Sequence, residues 1–92
     1  MKAERVVLHG CVQGVFFRAT VRDIARRHPG ISGWVRNAGS DGLEMHVEGD
    51  AEAVDAFVHD VLANPPPAAE VERIIRTETE PEAAAGFAVR DD

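Results

Sequence analysis

A glycine-containing segment near the start of the chain combines residue types that bind phosphate. Residues 10–18 read Gly-Cys-Val-Gln-Gly-Val-Phe-Phe-Arg. Gly10 and Gly14 allow the backbone to turn so that successive N–H groups point inward, an arrangement that binds anions. Arg18 would add a planar fork of donors that fits phosphate oxygens. The segment therefore predicts a phosphate cradle, although its local features also fit a plain loop that carries a surface arginine.

The elements around this segment would place the cradle at the beginning of a helix. Residues 5–9 are mostly β-branched and apolar, which indicates a strand, and residues 10–17 are expected to form a loop. Apolar residues then recur at helical spacing and predict a helix over 18–28, which Pro29-Gly30 ends. The first turn of a helix presents unpaired N–H groups and a positive dipole end, so it favours a bound anion. The glycine spacing matches neither a dinucleotide-binding fingerprint nor a P-loop.

The rest of the chain alternates between strand and helix patterns. Further strands are predicted over 31–37, 43–48, 71–77 and 87–90, the second with one wet face. The Asp41-Gly42 turn joins the first two of them, and a second helix, capped by Asp50, ends before Pro65. This order indicates an α+β fold, a ferredoxin-like β-α-β-β-α-β sandwich, formed by a single domain over residues 1–92. Two helices would cover one face of an antiparallel sheet of about five strands.

The charge distribution bears on the kind of partner. The net charge is −6, but residues 1–37 carry +5 and residues 38–92 carry −11. An acidic chain with a basic segment is a poor general binder of nucleic acid, yet it attracts a small anion locally. We therefore expect a small-molecule partner and no nucleic acid.

Composition also limits the compartment and the cofactors. No window approaches 18 consecutive apolar residues, and the first residues lack the pattern of a signal peptide, so no membrane association and a cytoplasmic location are expected. The single cysteine and the four histidines are scattered without metal-ligand spacing. We expect neither a metal nor another cofactor.

Two motifs together resemble those of the acylphosphatase family. The first is residues 10–18 and the second is Gly33-Trp34-Val35-Arg36-Asn37. The similarity extends through the Asp41-Gly42 turn, Asn64-Pro65-Pro66 and the closing residues 87–90, and so covers nearly the whole chain. The resemblance implies hydrolysis of acyl phosphates to a carboxylate and inorganic phosphate. In the family fold, two helices pack on one face of a five-stranded sheet.

The resemblance also implies roles for individual residues. Arg18 corresponds to the catalytic arginine that binds phosphate, and Asn37 to the asparagine that positions the attacking water. The backbone of the loop would complete the phosphate cradle through Cys11, Val12, Gln13, Gly14, Val15, Phe16 and Phe17. The leaving group is a carboxylate that is stable near neutral pH, so charge stabilisation and an aligned water are sufficient for the reaction. No metal is implied, and we expect a monomer because the core needs no partner.

The sequence departs from the family pattern at three places. Cys11 stands where the family usually has arginine, Phe16 where a smaller residue is frequent, and residues 27–31 are about one residue longer than is typical. Cys11 also raises the alternative of a cysteine nucleophile, as in tyrosine phosphatases. Six residues separate Cys11 from Arg18, however, whereas five do so in that family.

Two other functions stay open at this point. One is a non-catalytic ferredoxin-like regulatory or interaction module, which the joint presence of Arg18 and Asn37 disfavours. The other is a carbamoyl-phosphate-handling domain of a larger maturation enzyme, which a chain that ends at Asp92 disfavours. His9 could touch the substrate or be an ordinary strand residue. Trp34 alternates out of phase with Asn37, so the two are expected on opposite faces of the sheet.

Overall fold

A five-stranded sheet forms the centre of the computed structural model, which describes residues 1–91. The elements in chain order are β1 (Lys2–Cys11), α1 (Phe17–Ala25), β2 (Ser32–Ala38), β3 (Gly42–Gly49), α2 (Ala51–Ala63), β4 (Glu70–Thr79) and β5 (Phe87–Val89). The strands lie in the order β4-β1-β3-β2-β5 across the sheet. These elements confirm the predicted ferredoxin-like α+β fold.

The sheet is mixed, so the prediction of an antiparallel sheet is wrong for its last strand. β1 pairs antiparallel with β3 and β4, and β2 pairs antiparallel with β3. β5, in contrast, runs parallel to β2, with Gly33 opposite Phe87. The chain leaves β4 at one edge and crosses to the other through residues 80–86, which we call the crossing segment. It enters β5 beside the start of β2, where Gly33 N–H donates to the Gly86 carbonyl. The alternation of side chains cannot encode this direction.

One face of the sheet packs against both helices and forms the core. Its fully buried side chains include Leu8 of β1, Val35 of β2 and Met45 of β3. The helices contribute apolar stripes, namely Phe17, Val21 and Ile24 from α1 and Val54, Phe57, Val58 and Val61 from α2. Burying each such side chain stabilises the fold by roughly 1.5–3 kcal/mol. This packing fixes the first turn of α1 beside the ends of β1 and β2.

Both ends of α1 differ in detail from the prediction. β1 continues through Cys11, so the loop before the helix is shorter than expected. α1 ends at Ala25 rather than at residue 28, because the N–H groups of Arg27 and His28 donate to carbonyls three residues earlier. Such bonds tighten the last turn of a helix into a 3₁₀ geometry. In α2, Asp50 occupies the predicted cap position, but its side chain makes no capping hydrogen bond within residues 1–91.

On the face of the sheet opposite the helices, the central strand β3 is covered rather than wet. All eight residues of β3 are buried, which contradicts the expectation of one wet face. Arg5 and Arg36 both bind the carboxylate of Glu44 on this face. Further along β3, the crossing segment lies over Glu48, whose carboxylate accepts from the N–H groups of Glu82 and Ala84 at 2.7 and 2.8 Å. These contacts hold the segment that delivers β5 to the sheet edge.

Candidate active site

A cleft of about 310 Å³ opens at the N-terminal end of α1, beside the end of β2. Most of the predicted site residues line this cleft. The full lining consists of Val12, Gly14, Phe16, Phe17, Arg18, Ala19, Arg22, Asn37 and Val89. Two residues that are 19 positions apart in sequence, Arg18 and Asn37, therefore share one cavity. The fold achieves this because α1 begins where β1 ends, and β2 ends at the same edge of the core.

The first turn of α1 forms the floor for an anion. Phe16 occupies the position before the helix in a left-handed conformation, with φ 63° and ψ 21°. Gly14, two residues earlier, also has a positive φ of 71°. The first turn holds no acidic residue, so its unpaired N–H groups and the helix dipole are not neutralised there. This arrangement suits a phosphoryl group.

The Arg18 guanidinium is held by the C-terminal end of the described chain. Its Nη1 donates to the Arg90 carbonyl at 3.1 Å and to Asp91 Oδ1 at 2.7 Å. Both contacts use the same nitrogen, so within residues 1–91 Nε and Nη2 are the donors left for a phosphoryl group. No local sequence signal could have revealed Arg90 and Asp91 as partners, since more than 70 residues separate them from Arg18.

Asn37 lines the cleft from a position near the end of β2. Its Oδ1 is buried and has no hydrogen-bond partner within the described residues. A buried polar atom without a partner is costly in a folded protein, so such an atom marks a place where a ligand or solvent is bound. Trp34, three residues earlier, lies on the opposite face, where its ring stacks on His46 with centroids 5.9 Å apart. The predicted separation of Trp34 and Asn37 is confirmed.

Gln13 ties the cradle loop to the turn between β2 and β3. Its Nε2 lies 2.9 Å from the carbonyl oxygens of both Gly39 and Gly42, to which it donates. A backbone bond from Gly10 N–H to the Asp41 carbonyl joins the same two segments. Because Asn37 stands just before that turn, these bonds fix the distance between the cradle and Asn37. The sequence indicated only a backbone role for Gln13.

Three residues of the predicted cradle do not line the cleft. They are Cys11, Gln13 and Val15. Cys11 is the last residue of β1, and its Sγ lies 3.7 Å from the Ala68 carbonyl, on the side of β4. Val15 packs against the core. The side chain of Cys11 is thus turned away from Arg18, which disfavours a cysteine nucleophile.

The other groups considered from the sequence lie apart from this cleft. His9 is paired with Asp41, with 3.5 Å between Nδ1 and Oδ1. Among residues 1–91, no three or more His, Cys, Asp or Glu side chains gather in a way that could hold a metal ion. In the same part of the chain, no helix has the length and apolarity needed to cross a membrane.

Comparisons with known proteins agree with this geometry. The family model described as Acylphosphatase matches residues 4–89. An acylphosphatase of Thiobacillus denitrificans is 44% identical over 92 residues, which covers all of both chains. The crystal structure of acylphosphatase from Bacillus subtilis superposes with a TM-score of 0.88 at 32% identity, and covers 98% of this chain and 99% of that one.

A longer protein contains a similar unit. The crystal structure of T. kodakarensis HypF matches all of this chain but 12% of its own length, with a TM-score of 0.88 and 35% identity. The residues that the family model matches include the cleft with Arg18 and Asn37. On these grounds the chain belongs to the acylphosphatase family, whose members hydrolyse acyl phosphates.

Proposed function

We propose that Arg18 and the backbone amides of residues 11–17 bind the phosphoryl group of an acyl phosphate, and that Asn37 holds the water that attacks it. The observation that carries this proposal is that Asn37, whose Oδ1 is buried without a hydrogen-bond partner within residues 1–91, lines the same cleft as Arg18. An amide oxygen accepts a hydrogen bond from a water and can thereby direct the oxygen lone pair of that water toward phosphorus.

The cradle supplies the charge stabilisation that the reaction needs. Negative charge spreads over the phosphoryl oxygens in the transition state, and fixed N–H donors and a guanidinium interact with it without reorganising. A guanidinium has donors but no acceptor, so Arg18 acts as an electrostatic ligand and not as a base. Asn37 and Arg18 therefore have separable roles, one toward the water and one toward the phosphate.

The bonds change in one displacement. The water oxygen forms a bond to phosphorus while the bond between phosphorus and the acyl oxygen breaks, and the electron pair of that bond leaves with the carboxylate. The proton of the water is released as inorganic phosphate forms. Because the carboxylate leaves as a stable anion, the cleft needs no acid beside the leaving oxygen.

Hydrolysis of benzoyl phosphate, with and without a chelator, tests the proposal. The expected result is release of inorganic phosphate at a rate that the chelator leaves unchanged, since Arg18 and the helix amides provide the positive field. Acetyl and carbamoyl phosphate, assayed beside it, define the range of acyl groups. Loss of all activity on chelation would contradict a metal-independent mechanism.

We further propose that residues 1–92 act as one monomeric unit in the cytoplasm, with small molecules and no nucleic acid as partners. The apolar stripes of both helices pack into a single core, so no large apolar helix face is left for a second copy in residues 1–91. Light scattering coupled to size-exclusion chromatography tests this, with a mass near 10.0 kDa expected.

A further inference from the structure

A second arginine lines the cleft beside the phosphate cradle. Arg22 borders the same 310 Å³ cavity as Arg18 and Asn37. It also borders a second cavity of about 250 Å³, whose lining includes Arg26 and His28. β5 contributes to both, through Val89 in the first and Phe87 in the second. The two cavities are therefore successive stretches of one groove between α1 and β5.

The cationic residues of this groove follow the helix periodicity. Arg18, Arg22 and Arg26 are four residues apart, so they project from one side of α1. Four residues of α-helix advance about 6 Å along the axis. The groove thus carries a positive charge at the cradle and another about one helical turn away from it.

Arg22 is weakly engaged by the protein itself. Within residues 1–91 its partner is Asp23, and both Nε and Nη2 lie 3.4 Å from Asp23 Oδ1. Such a distance exceeds that of an ordinary N–H···O hydrogen bond, and an exposed ion pair contributes little free energy. Arg18, in comparison, lies 2.7 Å from Asp91. The donors of Arg22 are therefore available to a ligand in the groove.

The apolar residues that line the same cavity as the two arginines suit a carbon skeleton. Val12, Phe17 and Val89 line the first cavity, and Phe16 stands at its edge with 85% of its surface exposed. A ligand with two anionic groups joined by an apolar middle would match a cavity lined by two arginines and by apolar side chains. A purely apolar acyl group would give the Arg22 guanidinium no contact beyond its 3.4 Å pair with Asp23.

We propose that Arg22 binds a second anionic group, a carboxylate or a phosphate, on the acyl part of the substrate. The enzyme then prefers acyl phosphates that carry this second charge about one helical turn from the phosphoryl group. The inference rests on the proposed function, because it takes the phosphoryl group to lie at Arg18. Arg22 contacts a part of the substrate that does not react, so it contributes equally in the ground state and the transition state and lowers KM.

A pair of matched substrates tests this preference. The anionic probe is 4-(carboxymethyl)benzoyl phosphate and the neutral probe is its amide, 4-(carbamoylmethyl)benzoyl phosphate. The methylene group separates the benzoyl ring from the carboxylate or amide, so this substituent has little electronic effect on the leaving group. The two probes therefore have similar intrinsic reactivity. For the unmodified chain we expect kcat/KM to be about tenfold higher for the anionic probe, the factor that about 1.4 kcal/mol gives. A phosphonomethyl analogue distinguishes a preference for phosphate from one for carboxylate.

Variants assign the preference to Arg22. Arg22→Gln should bring the ratio of the two kcat/KM values close to one through KM, and Arg22→Lys should keep part of it. Arg27→Gln is the matched control, since it removes the same charge from a side chain that binds Asp60 outside the groove, and it should keep the full ratio. Asp23→Asn should increase the ratio by freeing Arg22. Circular dichroism checks that each variant is folded.

Ionic strength supplies an independent readout. Raising it from about 0.01 M to about 1 M shortens the Debye length from about 30 Å to about 3 Å, so the preference for the anionic probe should shrink. Equal kcat/KM for the two probes, or a ratio that Arg22→Gln leaves unchanged, would overturn this inference alone. If the unmodified chain failed to hydrolyse even benzoyl phosphate, the proposed function would fall and this inference with it.

Discussion

At the scale of single residues, the role proposed for Arg18 is to bind phosphate in both the ground state and the transition state. Its Nη1 is fixed by Arg90 and Asp91, which orients the guanidinium fork before a ligand arrives. Such preorganisation lowers the cost of binding, because fewer rotamers are lost when the phosphoryl group enters. The contribution of Arg18 should therefore be visible with inorganic phosphate alone.

Replacing Arg18 tests that contribution. Arg18→Ala should abolish the rise in melting temperature that phosphate gives the unmodified protein, because a ligand stabilises only a fold that binds it. Turnover of benzoyl phosphate should fall by roughly 10²-fold or more. Arg18→Lys should restore little, since a point charge lacks the planar fork. Equal protection of Arg18→Ala and the unmodified protein by phosphate would show that Arg18 is not the anion ligand.

Phe16 has a conformation that stability does not explain. It has a left-handed φ of 63°, which is costly for a bulky side chain, and yet 85% of its surface is exposed. Strain of this kind at the rim of a cleft points to contact with the ligand. We therefore predict that the Phe16 ring contacts the acyl part of the substrate.

Phe16→Gly separates strain from function. Glycine adopts this conformation freely, so the free energy of unfolding should rise by about 0.5–1 kcal/mol in urea denaturation. The KM for benzoyl phosphate should rise as well, because the ring no longer contacts the acyl group. Ala83→Gly is the control, since Ala83 also has a positive φ, of 55°, and does not line the cleft. An unchanged KM in Phe16→Gly would remove Phe16 from the site.

At the scale of elements, the site depends on how the cradle loop is joined to the turn between β2 and β3. Gln13 makes the side-chain bonds of this junction, to the carbonyls of Gly39 and Gly42. Misplacing a catalytic group by about 1 Å can reduce the rate about 10²-fold. The junction therefore matters for turnover beyond its effect on stability.

Gln13→Ala should lower kcat for benzoyl phosphate about tenfold or more, because the cradle and Asn37 are no longer held at a fixed distance. The melting temperature should fall moderately, since two carbonyls lose a donor. Asn64→Ala is a suitable control, because Asn64 Nδ2 likewise donates to other groups of the protein, both on Asp60, and Asn64 does not line the cleft. The Asn64→Ala variant should lose about as much stability as Gln13→Ala, but its kcat should be unchanged. A kcat of Gln13→Ala equal to that of Asn64→Ala would refute a positioning role.

The crossing segment is a second element that supports the site, and the buried carboxylate of Glu48 is one of its anchors. Burial alone would raise the pKa of Glu48, but the Glu82 N–H, His46 and the Ala84 N–H outweigh it and hold that pKa below its ordinary value. The segment leads directly into β5, whose Val89 lines the cleft. The carboxylate of Glu48 thus supports one wall of the site from the opposite face of the sheet.

At the scale of the whole molecule, buried carboxylates make the fold sensitive to acid. Burial would likewise raise the pKa of Glu4 and of Glu44. Hydrogen bonds from Arg76 outweigh this effect at Glu4 and lower its pKa overall. Hydrogen bonds from Arg36 and Arg5 do the same for the pKa of Glu44. A carboxyl group with a lowered pKa in the folded state stabilises the fold above its ordinary pKa of about 4.3. That stabilisation is lost as the pH falls from this ordinary pKa toward the lower pKa of the same group in the folded state.

The midpoint of urea denaturation should therefore fall steeply below about pH 4.3. Glu48→Gln should reduce stability at pH 7 by about 1–3 kcal/mol, since a neutral amide cannot accept all the bonds of the carboxylate. It should also flatten the acid limb of the pH profile. Glu72→Gln, at an exposed position on β4, should leave that limb close to the unmodified one. An acid limb that Glu48→Gln did not change would contradict this account.

The sequence predicted those features that depend on local pattern. Strand and helix periodicities predicted the core and the element order, and the two motifs predicted Arg18 and Asn37 as site residues, which line one cleft in the structure. The direction of β5 and the burial of both faces of β3 depend instead on where the crossing segment lies. That path is set by long-range contacts such as those of Glu48 with Glu82 and Ala84. The contacts of Arg18 with Arg90 and Asp91 were hidden for the same reason.

Inhibition of benzoyl phosphate hydrolysis by inorganic phosphate in Asn37→Ala tests the central claim most directly, because it gives turnover and phosphate affinity together. The account predicts that kcat falls by roughly 10²-fold or more while the inhibition constant for phosphate stays close to that of the unmodified protein. Circular dichroism confirms the fold, since Asn37 stands near the end of β2. A folded Asn37→Ala protein with full turnover, or one with phosphate affinity reduced as much as turnover, would contradict the assignment of the water to Asn37.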